Sequence, residues 1–533
     1  MSKYIFVTGG VCSSLGKGVA ASSVGNLLEG HGLSIHLVKI DPYINVDAGT
    51  MNPYQHGEVY VTDDGAETDL DLGNYSRFTD SPLSRDNSIT TGQVYQEVIR
   101  KEREGRFLGR TVQVIPHITD EIKQRIVKIG SKEGVDVTIV EIGGTVGDIE
   151  SIPFLEAARQ FIHDLGKSNV LFIHLTLVPT VSMGEQKTKP TQHSVKDLQE
   201  LGIQPDILLC RTQIPLTEAL KRKISLFTNV EEEAVISAYN VNTTIYEIPM
   251  LYSRQGIDGI ILKKLGLTPH QVNKKIKEWD KTVNAYVTSD KSVRVGIVGK
   301  YIELHDSYKS IFEALLHGGI ARQVKVDLVK FDSEQIGEGD DPLTGQIDGI
   351  LVPGGFGQRG IEGMIRAAEV ARTQGIPYFG ICLGMQIMVI EYARHILGLK
   401  EANSTEFAAQ GPHPVVSLLE EQENVKVMGA SMRLGASLSF LKEGTHIHGI
   451  YRSSEISERH RHRYEVSNNY REDLLRGGLV ISGTTKDGEL VETVEWDKHP
   501  WGIGVQFHPE FTSKPTAPHP LFKSFIEACV KHA

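Results

Sequence analysis

Short runs of branched and aromatic apolar residues recur along the first half of the chain, with longer amphipathic stretches between them. The runs have the length of ordinary strands, and the intervening stretches place their apolar residues on one helical face. Strands that alternate with helices form βαβ units, so this pattern predicts a mostly parallel, doubly wound sheet. The predicted strands are 4–7, 36–40, 135–142, 171–178, 206–210 and 234–238.

The pattern stops at about residue 267, where a lysine-rich stretch with few branched apolar residues begins. We interpret residues 268–292 as a helix plus linker between domains. New predicted strands follow at 293–298, 324–330, 349–352, 377–381 and 502–507. The expected fold class is therefore α/β, with two doubly wound, mostly parallel-sheet domains at residues 1–267 and 293–533.

Composition narrows the range of functions. A chain of 533 residues is too long for one ordinary domain of roughly 100–200 residues. Its net charge of −11 gives no overall basic surface for nucleic acid or an anionic membrane. The amino terminus has no signal-peptide pattern, no apolar run reaches the roughly 18 residues of a membrane helix, and the four cysteines form no CxxC pair. We therefore expect a cytoplasmic protein with no nucleic-acid or membrane partner.

A glycine- and serine-rich loop, GGVCSSLGKG, follows the first predicted strand and precedes a helix of small residues. Its backbone N–H groups, the helix N-terminus and Lys17 are suited to binding phosphate. The loop is not a strict Walker A motif, because its glycine spacing is one residue longer and Gly18 replaces the magnesium-binding hydroxyl. We predict a nucleotide site, and the alternative is an ordinary glycine–serine turn.

Without that hydroxyl, magnesium needs carboxylate ligands from elsewhere in the chain. One candidate group is the acidic segment of Glu67, Asp69 and Asp71, and another is Glu141, at the end of a predicted buried strand. An acidic loop is more often simply solvated, whereas an unpaired buried Glu141 would be costly. A basic loop from Lys187 to Gln192 is suited to a second triphosphate, with Lys39 and Lys223 as further cations; an exposed polar turn explains that composition equally well.

The second half contains a candidate nucleophile. Cys382 lies in the sequence GICLG directly after a predicted strand, which matches a nucleophile elbow with sulfur in place of serine oxygen. His508 and Glu510 follow a later strand and supply a base and a carboxylate that orients it. The glycine-rich segment 353–357 can present N–H groups to an oxyanion. The alternative is a buried core cysteine.

These motifs resemble two known families. The second half resembles the class I glutamine amidotransferase domain with a Cys-His-Glu triad, and the first half resembles the amidoligase domain of the CTP synthase family. The resemblance covers nearly the whole chain, and both halves and their order agree. It rests on residues 4–18, 39–47, 55–59, 65–73, 111–119, 141–153, 187–194 and 403–407.

The resemblance implies roles for residues, motif by motif. The implied ATP-binding residues are Ser14, Leu15, Gly16, Lys17, Gly18, Val19, Asp71, Tyr239, Asn240 and Val241. The implied UTP- and CTP-binding residues are Ser13, Lys39, Asp148, Ile149, Glu150, Lys187, Thr188, Lys189, Pro190, Thr191, Gln192 and Lys223. Asp71 and Glu141 would bind Mg²⁺, and Cys382, His508 and Glu510 would form the triad. The implied glutamine-binding residues are Tyr54, Gly355, Leu383, Gly384, Met385, Gln386, Glu406 and Arg463.

The implied reaction is ATP-dependent amination of UTP to CTP through a 4-phosphorylated intermediate. Ammonia from L-glutamine would travel along a shielded passage, with Pro53, Tyr54, His56 and Val59 as candidates for its wall. The family also implies activation by GTP, for which Arg359 and Glu362 are candidate contacts, inhibition by CTP, and a homotetramer, with filaments left open. Cys12 departs from the small apolar residue expected in the phosphate loop; it is either a packing substitution or an oxidation-sensitive thiol.

Two other functions remain open on the sequence. One is a different ATP-dependent amidoligase fused to the same glutaminase, such as an enzyme that amidates cobyrinic acid carboxylates. The loop 187–192 argues against it. The other is a filament-forming protein that binds nucleotides without turnover, which the complete triad and both candidate metal carboxylates disfavour.

Overall fold

The computed structural model describes residues 2–181, 184–270, 274–337, 343, 345, 347–418 and 432–533. The chain divides into two compact units. The first comprises Met1–Ala48 and Asp71–Val283, and the second comprises Gly49–Leu70 and Asn284–Ala533. The predicted linker 268–292 contains a helix, Lys274–Val287, and its residues 271–273 lie outside the described residues. The sequence pattern gives no sign that Gly49–Leu70 belongs with the second unit.

Strands and helices are numbered in chain order. The strands are β1 (Lys3–Gly9), β2 (Ile35–Asp41), β3 (Tyr60–Val61), β4 (Glu67–Thr68), β5 (Ser88–Thr90), β6 (Val137–Ile142), β7 (Val170–Leu177), β8 (Ile207–Thr212), β9 (Val235–Tyr239), β10 (Ser292–Gly299), β11 (Lys325–Asp332), β12 (Gly349–Val352), β13 (Tyr378–Ile381), β14 (Ala402–Ser404), β15 (His413–Leu418), β16 (Arg433–Leu441), β17 (Glu455–His462), β18 (Tyr464–Val466), β19 (Leu479–Thr484), β20 (Val491–Trp496) and β21 (Gly502–Val505). The helices are α1 (Lys17–Gly30), α2 (Pro53–His56), α3 (Asp71–Phe78), α4 (Thr91–Arg103), α5 (Thr119–Gly130), α6 (Ile152–Leu165), α7 (Lys189–Glu200), α8 (Glu218–Thr228), α9 (Ile248–Ser253), α10 (Ile257–Leu265), α11 (Lys274–Val287), α12 (Lys309–Arg322), α13 (Ile361–Gln374), α14 (Leu383–His395), α15 (His446–Tyr451), α16 (Arg471–Gly477) and α17 (Pro520–His532). No helix in the part of the chain that the structure describes is long and apolar enough to cross a membrane.

The first unit is built on a seven-stranded parallel sheet in the order β5-β2-β6-β1-β7-β8-β9. Its central strands are buried along almost their whole length, because helices cover both faces of the sheet. On one face Phe6 and Phe172 stack at 5.3 Å, and Phe161 of α6 packs edge-on against Phe6. The parallel α/β fold predicted for this half is confirmed.

The second unit contains a nine-stranded mixed sheet in the order β11-β10-β12-β13-β21-β20-β19-β16-β17. The strands from β11 to β21 in this order pair in parallel, and those from β21 to β17 are antiparallel. Alternate residues of the parallel strands enter different cores: Ile350 packs with α13 and α14, and Leu351 packs with α12 and α17. The α/β class is confirmed, and the antiparallel strands are an addition to the predicted set.

Candidate functional site

Cys382 stands at a sharp turn between β13 and α14 of the second unit. Its φ of 51° is in the left-handed region, which costs a non-glycine residue roughly 1–3 kcal/mol. The two flanking glycines are required by close contacts: a Cβ at Gly380 would lie 2.5 Å from the Gly384 oxygen, and one at Gly384 would lie 2.1 Å from the Val352 oxygen. The turn therefore has the elbow geometry that the sequence predicts, with the sulfur at a helix N-terminus, where the thiolate is favoured.

His508 and Glu510 follow β21, and Nδ1 of the histidine lies 2.7 Å from Oε1 of the glutamate. Burial alone lowers the pKa of His508, but the Glu510 carboxylate and the Cys382 sulfur outweigh burial and raise that pKa to about 10. A Cβ at Gly354 would lie 2.9 Å from Cε1 of His508 and 3.6 Å from Cβ of Cys382, so both catalytic candidates converge on the same glycine. The three residues also line one cavity. The arrangement suits an activated thiol with an oriented base.

The raised pKa of His508 makes a prediction about stability. A folded-state pKa of about 10, against an unfolded value of roughly 6.5, means that the ion pair stabilises fully below pH ~6.5 and is lost as pH rises towards 10. Glu510→Gln should therefore lower the free energy of unfolding most near pH 6, with a smaller difference from wild type near pH 10. Urea unfolding across this range measures the difference. Glu527→Gln, in the exposed pair with Lys531, is the matched control, and a pH-independent loss in Glu510→Gln would contradict the prediction.

A cavity of about 450 Å³ surrounds the triad. Glu406 and Arg463 line it together with Gly355, so a carboxylate and a guanidinium face one space. Burial raises the pKa of Glu406, and its Oε1 accepts a hydrogen bond of 2.6 Å from the Gly357 nitrogen. Opposite charges on one wall suit a zwitterion whose α-ammonium pairs with the carboxylate and whose α-carboxylate pairs with the guanidinium.

The glycine-rich segment after β12 is held by a residue that sequence reasoning missed. Nζ of the buried Lys300 donates to the Phe356 oxygen at 3.0 Å and also to the Gly357 oxygen. Burial lowers the pKa of Lys300 to about 8. With both carbonyls bonded to this ammonium and the Gly357 nitrogen bonded to Glu406, the segment is fixed beside the cysteine.

The remaining predicted glutamine-binding residues lie near the cavity without being among its lining residues. The first turn of α14 supplies four of them, and all four are buried: Leu383, Gly384, Met385 and Gln386. The Tyr54 hydroxyl donates to the Lys300 oxygen at 3.3 Å.

Segment Gly49–Leu70 forms part of the cavity wall within this unit. Its residues Pro53, Glu58 and Val59 line the cavity. The Glu58 carboxylate accepts a 2.8 Å hydrogen bond from the Ser310 nitrogen at the start of α12. Arg459 of β17 donates to the Tyr60 hydroxyl at 2.7 Å and to the Val61 oxygen at 3.1 Å.

The phosphate-loop candidate of the first unit joins β1 to α1. Val11, Ser14 and Gly16 all have positive φ, and Ser13, Ser14 and Gly16 are exposed at the carboxyl edge of the sheet. Nζ of Lys17 donates to the Gly144 oxygen at 2.6 Å. Burial lowers the pKa of Lys17, and the nearby Glu141 carboxylate opposes that shift. Exposed loop residues and one lysine at this edge suit a nucleotide phosphate.

The structure explains why the loop departs from a Walker A motif. A Cβ at Gly18 would lie 1.9 Å from Oδ1 of Asp71, so the Asp71 carboxylate occupies the space that a serine or threonine side chain needs. Nζ of Lys39 contacts Asp71, and it lies 3.1 Å from Oε1 of Glu141. The Tyr75 hydroxyl donates to the other oxygen of Glu141. Two predicted metal carboxylates therefore converge beside the loop.

Electrostatics distinguish these two carboxyl groups. Burial and the neighbouring Asp71 raise the pKa of Glu141 to about 7, although Lys39 opposes them. Burial also acts to raise the pKa of Asp71, but Lys39 outweighs it and lowers that pKa. The two carboxyl groups therefore disfavour each other's ionised form, and positive charge beside them, which Lys39 supplies here, relieves that repulsion.

The other predicted nucleotide residues of this unit range from exposed to buried. Lys187, Lys189 and Lys223 are exposed, as are Ile149 and Glu150. The half-buried residues are Val19, Asp148, Pro190, Gln192, Tyr239 and Val241; Asn240 is exposed, and Leu15, Thr188 and Thr191 are buried. Thr191 is bonded through Oγ1 to Thr176 at 2.8 Å, and Gln192 donates to Oγ1 of Thr188 at 3.0 Å.

Both halves of the chain match known protein families, and full-length relatives carry the same two halves. Residues 3–267 match the family model described as CTP synthase N-terminus, and residues 303–528 match glutamine amidotransferase class-I. The CTP synthase of Aquifex aeolicus (strain VF5) is 56% identical over 533 residues, covering 100% of this chain and 99% of that protein. The CTP synthase of Syntrophus aciditrophicus (strain SB) is 57% identical over 535 residues, covering 100% of this chain and 98% of that protein.

Solved structures match part of the chain, and one of them comes from a CTPS protein. It is the Trypanosoma brucei CTPS glutaminase domain with bound acivicin, which is 42% identical and covers 45% of this chain and 94% of that chain, with a TM-score of 0.42. The full-length sequence matches and the two family models agree on one assignment. The chain belongs to the CTP synthase family.

Proposed function

We propose that this ligase, which makes CTP from UTP, does so through a 4-phosphorylated UTP intermediate, with ammonia released from L-glutamine at Cys382. One observation carries the proposal. Cys382, in an elbow, shares a cavity with the His508–Glu510 pair and with the oppositely charged Glu406 and Arg463.

Glutamine hydrolysis takes two steps at the cysteine. His508 takes the proton of the Cys382 thiol, and the thiolate attacks the side-chain amide carbon of glutamine and forms a C–S bond, while the carbonyl electrons move onto oxygen. His508 gives a proton to the departing nitrogen, the C–N bond breaks, and ammonia leaves a glutamyl thioester. His508 then takes a proton from water as the water oxygen attacks the thioester carbon. The C–S bond breaks with its electron pair on sulfur, His508 returns its proton to the sulfur, and the free thiol and glutamate result, the carboxyl proton of glutamate passing to solvent.

Two features of the cavity support these steps. The fixed segment 354–356 lines the cavity and is proposed to offer backbone N–H groups to the negative oxygen of each tetrahedral intermediate. Glu510 holds the imidazole by its Nδ1 and stabilises the imidazolium that forms during attack.

The guanidinium of Arg463 is predicted to recognise the α-carboxylate of glutamine. Arg463→Met should raise the KM for glutamine by roughly 10- to 100-fold, which is the loss expected for a charge-assisted hydrogen bond. The rate with ammonium chloride as nitrogen source should stay close to that of wild type. Steady-state CTP formation with each nitrogen source measures both values. Arg476→Met, in an exposed pair with Asp473, is the matched control. Equal losses with both nitrogen sources would contradict the assignment.

Synthesis is assigned to the phosphate-loop site of the first unit. We assign to Lys17 and Lys39 the neutralisation of charge on the triphosphate of ATP, and to the loop N–H groups the binding of its oxygens. The position of Lys17 beside Gly144 and of Lys39 beside Glu141 supports this assignment. Lys187, Lys189 and Lys223 are proposed to hold the UTP phosphates. The oxygen of uracil C4 attacks the γ-phosphorus, the bond to ADP breaks, and ammonia then attacks C4 and displaces phosphate.

Magnesium fits this site. Asp71 and Glu141 provide hard oxygen ligands beside the loop, and their mutual repulsion favours a cation. Among the described residues, no group of three or more histidine, cysteine or acidic side chains could hold a metal ion, so nucleotide phosphates and water would complete the coordination. Bound Mg²⁺ would supply positive charge to the β- and γ-phosphates.

Ammonia must reach uracil C4 unprotonated, because ammonium is not a nucleophile. Pro53 and Val59, two of the proposed wall residues, line the cavity of Cys382. We assign to this cavity the start of the ammonia route. Tyr54 and His56 remain proposed as further wall residues; the Tyr54 hydroxyl accepts a hydrogen bond of 2.9 Å from Arg359.

Regulation, assembly and location are proposed from the family. GTP is the proposed activator, with Arg359 and Glu362 as contacts. The Arg359 guanidinium lies over the Tyr54 and Tyr301 rings at 5.8 and 5.5 Å, a surface on which a purine can stack, whereas Glu362 is already paired with Arg394 at 2.7 Å. CTP is the proposed inhibitor, through Asp148, Ile149 and Glu150. We propose a cytoplasmic homotetramer.

The decisive assay measures ATP hydrolysis and CTP formation by the purified full-length chain. ATP turnover should require UTP, and CTP should form from either glutamine or ammonium chloride. ATP turnover that depends on a carboxylic acid acceptor and ignores UTP would favour the rival amidoligase. Binding of ATP and UTP with no CTP formed, even with ammonium chloride, would favour a protein without turnover.

A further inference from the structure

The side chain of Gln506 lies against the nucleophile. Gln506 stands between β21 and His508, and its side chain is completely buried. Its Nε2 lies 3.6 Å from Sγ of Cys382, within hydrogen-bonding range for sulfur. The backbone reinforces the contact, because the Cys382 nitrogen donates to the oxygen of Val505, the residue directly before Gln506, at 2.7 Å.

The orientation of this amide follows from its partners. Nε2 of the buried Gln386 donates to the Tyr464 backbone oxygen at 3.0 Å, and a carbonyl oxygen can only accept. The same Nε2 lies 3.3 Å from the side chain of Gln506, which must therefore present its oxygen there. The Gln506 amide nitrogen is thus directed to the opposite side, where the sulfur lies. These hydrogen bonds form one series from Tyr464 through Gln386 and Gln506 to Cys382. Because the series begins at a carbonyl oxygen, only one assignment of its donors and acceptors is consistent.

Building on the proposed glutaminase function, we propose that Gln506 is a catalytic residue that donates a hydrogen bond to the Cys382 sulfur and stabilises its thiolate. Gln386 is the positioning residue that orients Gln506. The sulfur has a different partner for its proton, since the Arg461 oxygen lies 3.9 Å away and can accept from the thiol. When the Cys382 thiol ionises, its hydrogen bond to the Arg461 oxygen is lost. The Gln506 amide can still donate to the thiolate.

The Gln506 amide binds the thiolate of Cys382 more strongly than it binds the neutral thiol. A hydrogen bond to an ionised acceptor is roughly twice as strong as one between neutral groups, so the Gln506 amide favours thiolate over thiol. Its full burial means that water cannot replace the donor if it is removed. The local charges around the sulfur are His508, with Glu510 behind it, and the α14 N-terminus. Glu58, Glu406, Arg461 and Arg463 line the same cavity. Gln506 adds an uncharged donor to that set.

The test is the pH dependence of Cys382 alkylation by iodoacetamide in the full-length chain. The Cys382 peptide is followed by mass spectrometry, because the exposed Cys12 is a second thiol that iodoacetamide can reach. Gln506→Met removes the donor and keeps the volume, and it should move the apparent midpoint of alkylation to higher pH by roughly one to two units. Gln506→Asn keeps the amide but withdraws it by one methylene, and it should move the midpoint in the same direction. The glutaminase pH profile should shift alongside.

Thr493→Val is the matched control, because it removes a buried hydroxyl from the neighbouring strand β20 without touching the sulfur. Its alkylation midpoint should equal that of wild type. Unchanged midpoints in folded Gln506→Met and Gln506→Asn would overturn the proposal. A wild-type chain that hydrolyses no glutamine, in which Gln506→Met still shifts the midpoint, would contradict the proposed function and leave this inference standing.

Discussion

Replacement of Cys382 by alanine is expected to abolish CTP formation from glutamine and to leave formation from ammonium chloride nearly intact. The sulfur is the protein group that bonds to the substrate carbon in the proposed glutaminase reaction, so its loss should lower glutamine-dependent synthesis by about four orders of magnitude or more. Free ammonia supplies the same nucleophile to uracil C4. The proposed synthetase residues Lys17, Asp71 and Glu141 all belong to the first unit, whereas Cys382 belongs to the second.

The two assays differ only in nitrogen source, so each preparation is its own reference for folding. Cys529→Ala is the matched control, because Cys529 is a buried cysteine in α17 of the same unit. It should keep both activities. Loss of ammonia-dependent synthesis in a folded Cys382→Ala chain would show that the two reactions do not divide between Cys382 and the phosphate-loop site.

The features that could be predicted from sequence are those that neighbouring residues determine. The elbow at Cys382 is encoded by one strand, two glycines and one helix start within a few residues. The parallel strands are continuous apolar runs, because both of their faces are buried. The His508–Glu510 pair is likewise local, because only Pro509 separates the two residues in the chain.

The features that could not be predicted depend on contacts between residues far apart in the chain. Arg459 binds Tyr60 across 399 positions, and nothing near either residue indicates that contact. The antiparallel strands β16 to β20 have weaker patterns, because β16 alternates between buried and exposed residues and includes polar side chains. Tertiary pairing determines such strands more than local propensity does.

Gln506 and Asp71 illustrate the same limit within the sites. Gln506 is visible in the sequence QFHPE, but a glutamine there has many possible partners, and only the fold brings it to the sulfur. The sequence shows that Gly18 replaces a hydroxyl, and it suggests acidic residues as substitutes. That Asp71 fills the space above Gly18 becomes evident only when α3 and α1 are seen together.

Lys17→Ala is expected to remove CTP synthesis from both glutamine and ammonium chloride. Nζ of Lys17 is held by the Gly144 oxygen at 2.6 Å, beside the carboxylates of Asp71 and Glu141, which help to keep it charged. Phosphoryl transfer depends on fixed positive charge at the transferring group, and loss of one such group costs roughly 10²- to 10³-fold or more. Because phosphorylation of UTP precedes attack by ammonia, no nitrogen source can bypass the loss.

The same variant should still hydrolyse glutamine, since no step at Cys382 uses Lys17. Measuring glutamate release, CTP formation from each nitrogen source and ATP turnover separates these possibilities in one preparation. Lys167→Ala, in the exposed pair with Asp206 of the same unit, is the matched control and should keep all activities. A Lys17→Ala chain that makes CTP from ammonium chloride at the wild-type rate would move phosphoryl transfer away from this loop. Loss confined to the glutamine-dependent reaction would place Lys17 in the supply of ammonia instead.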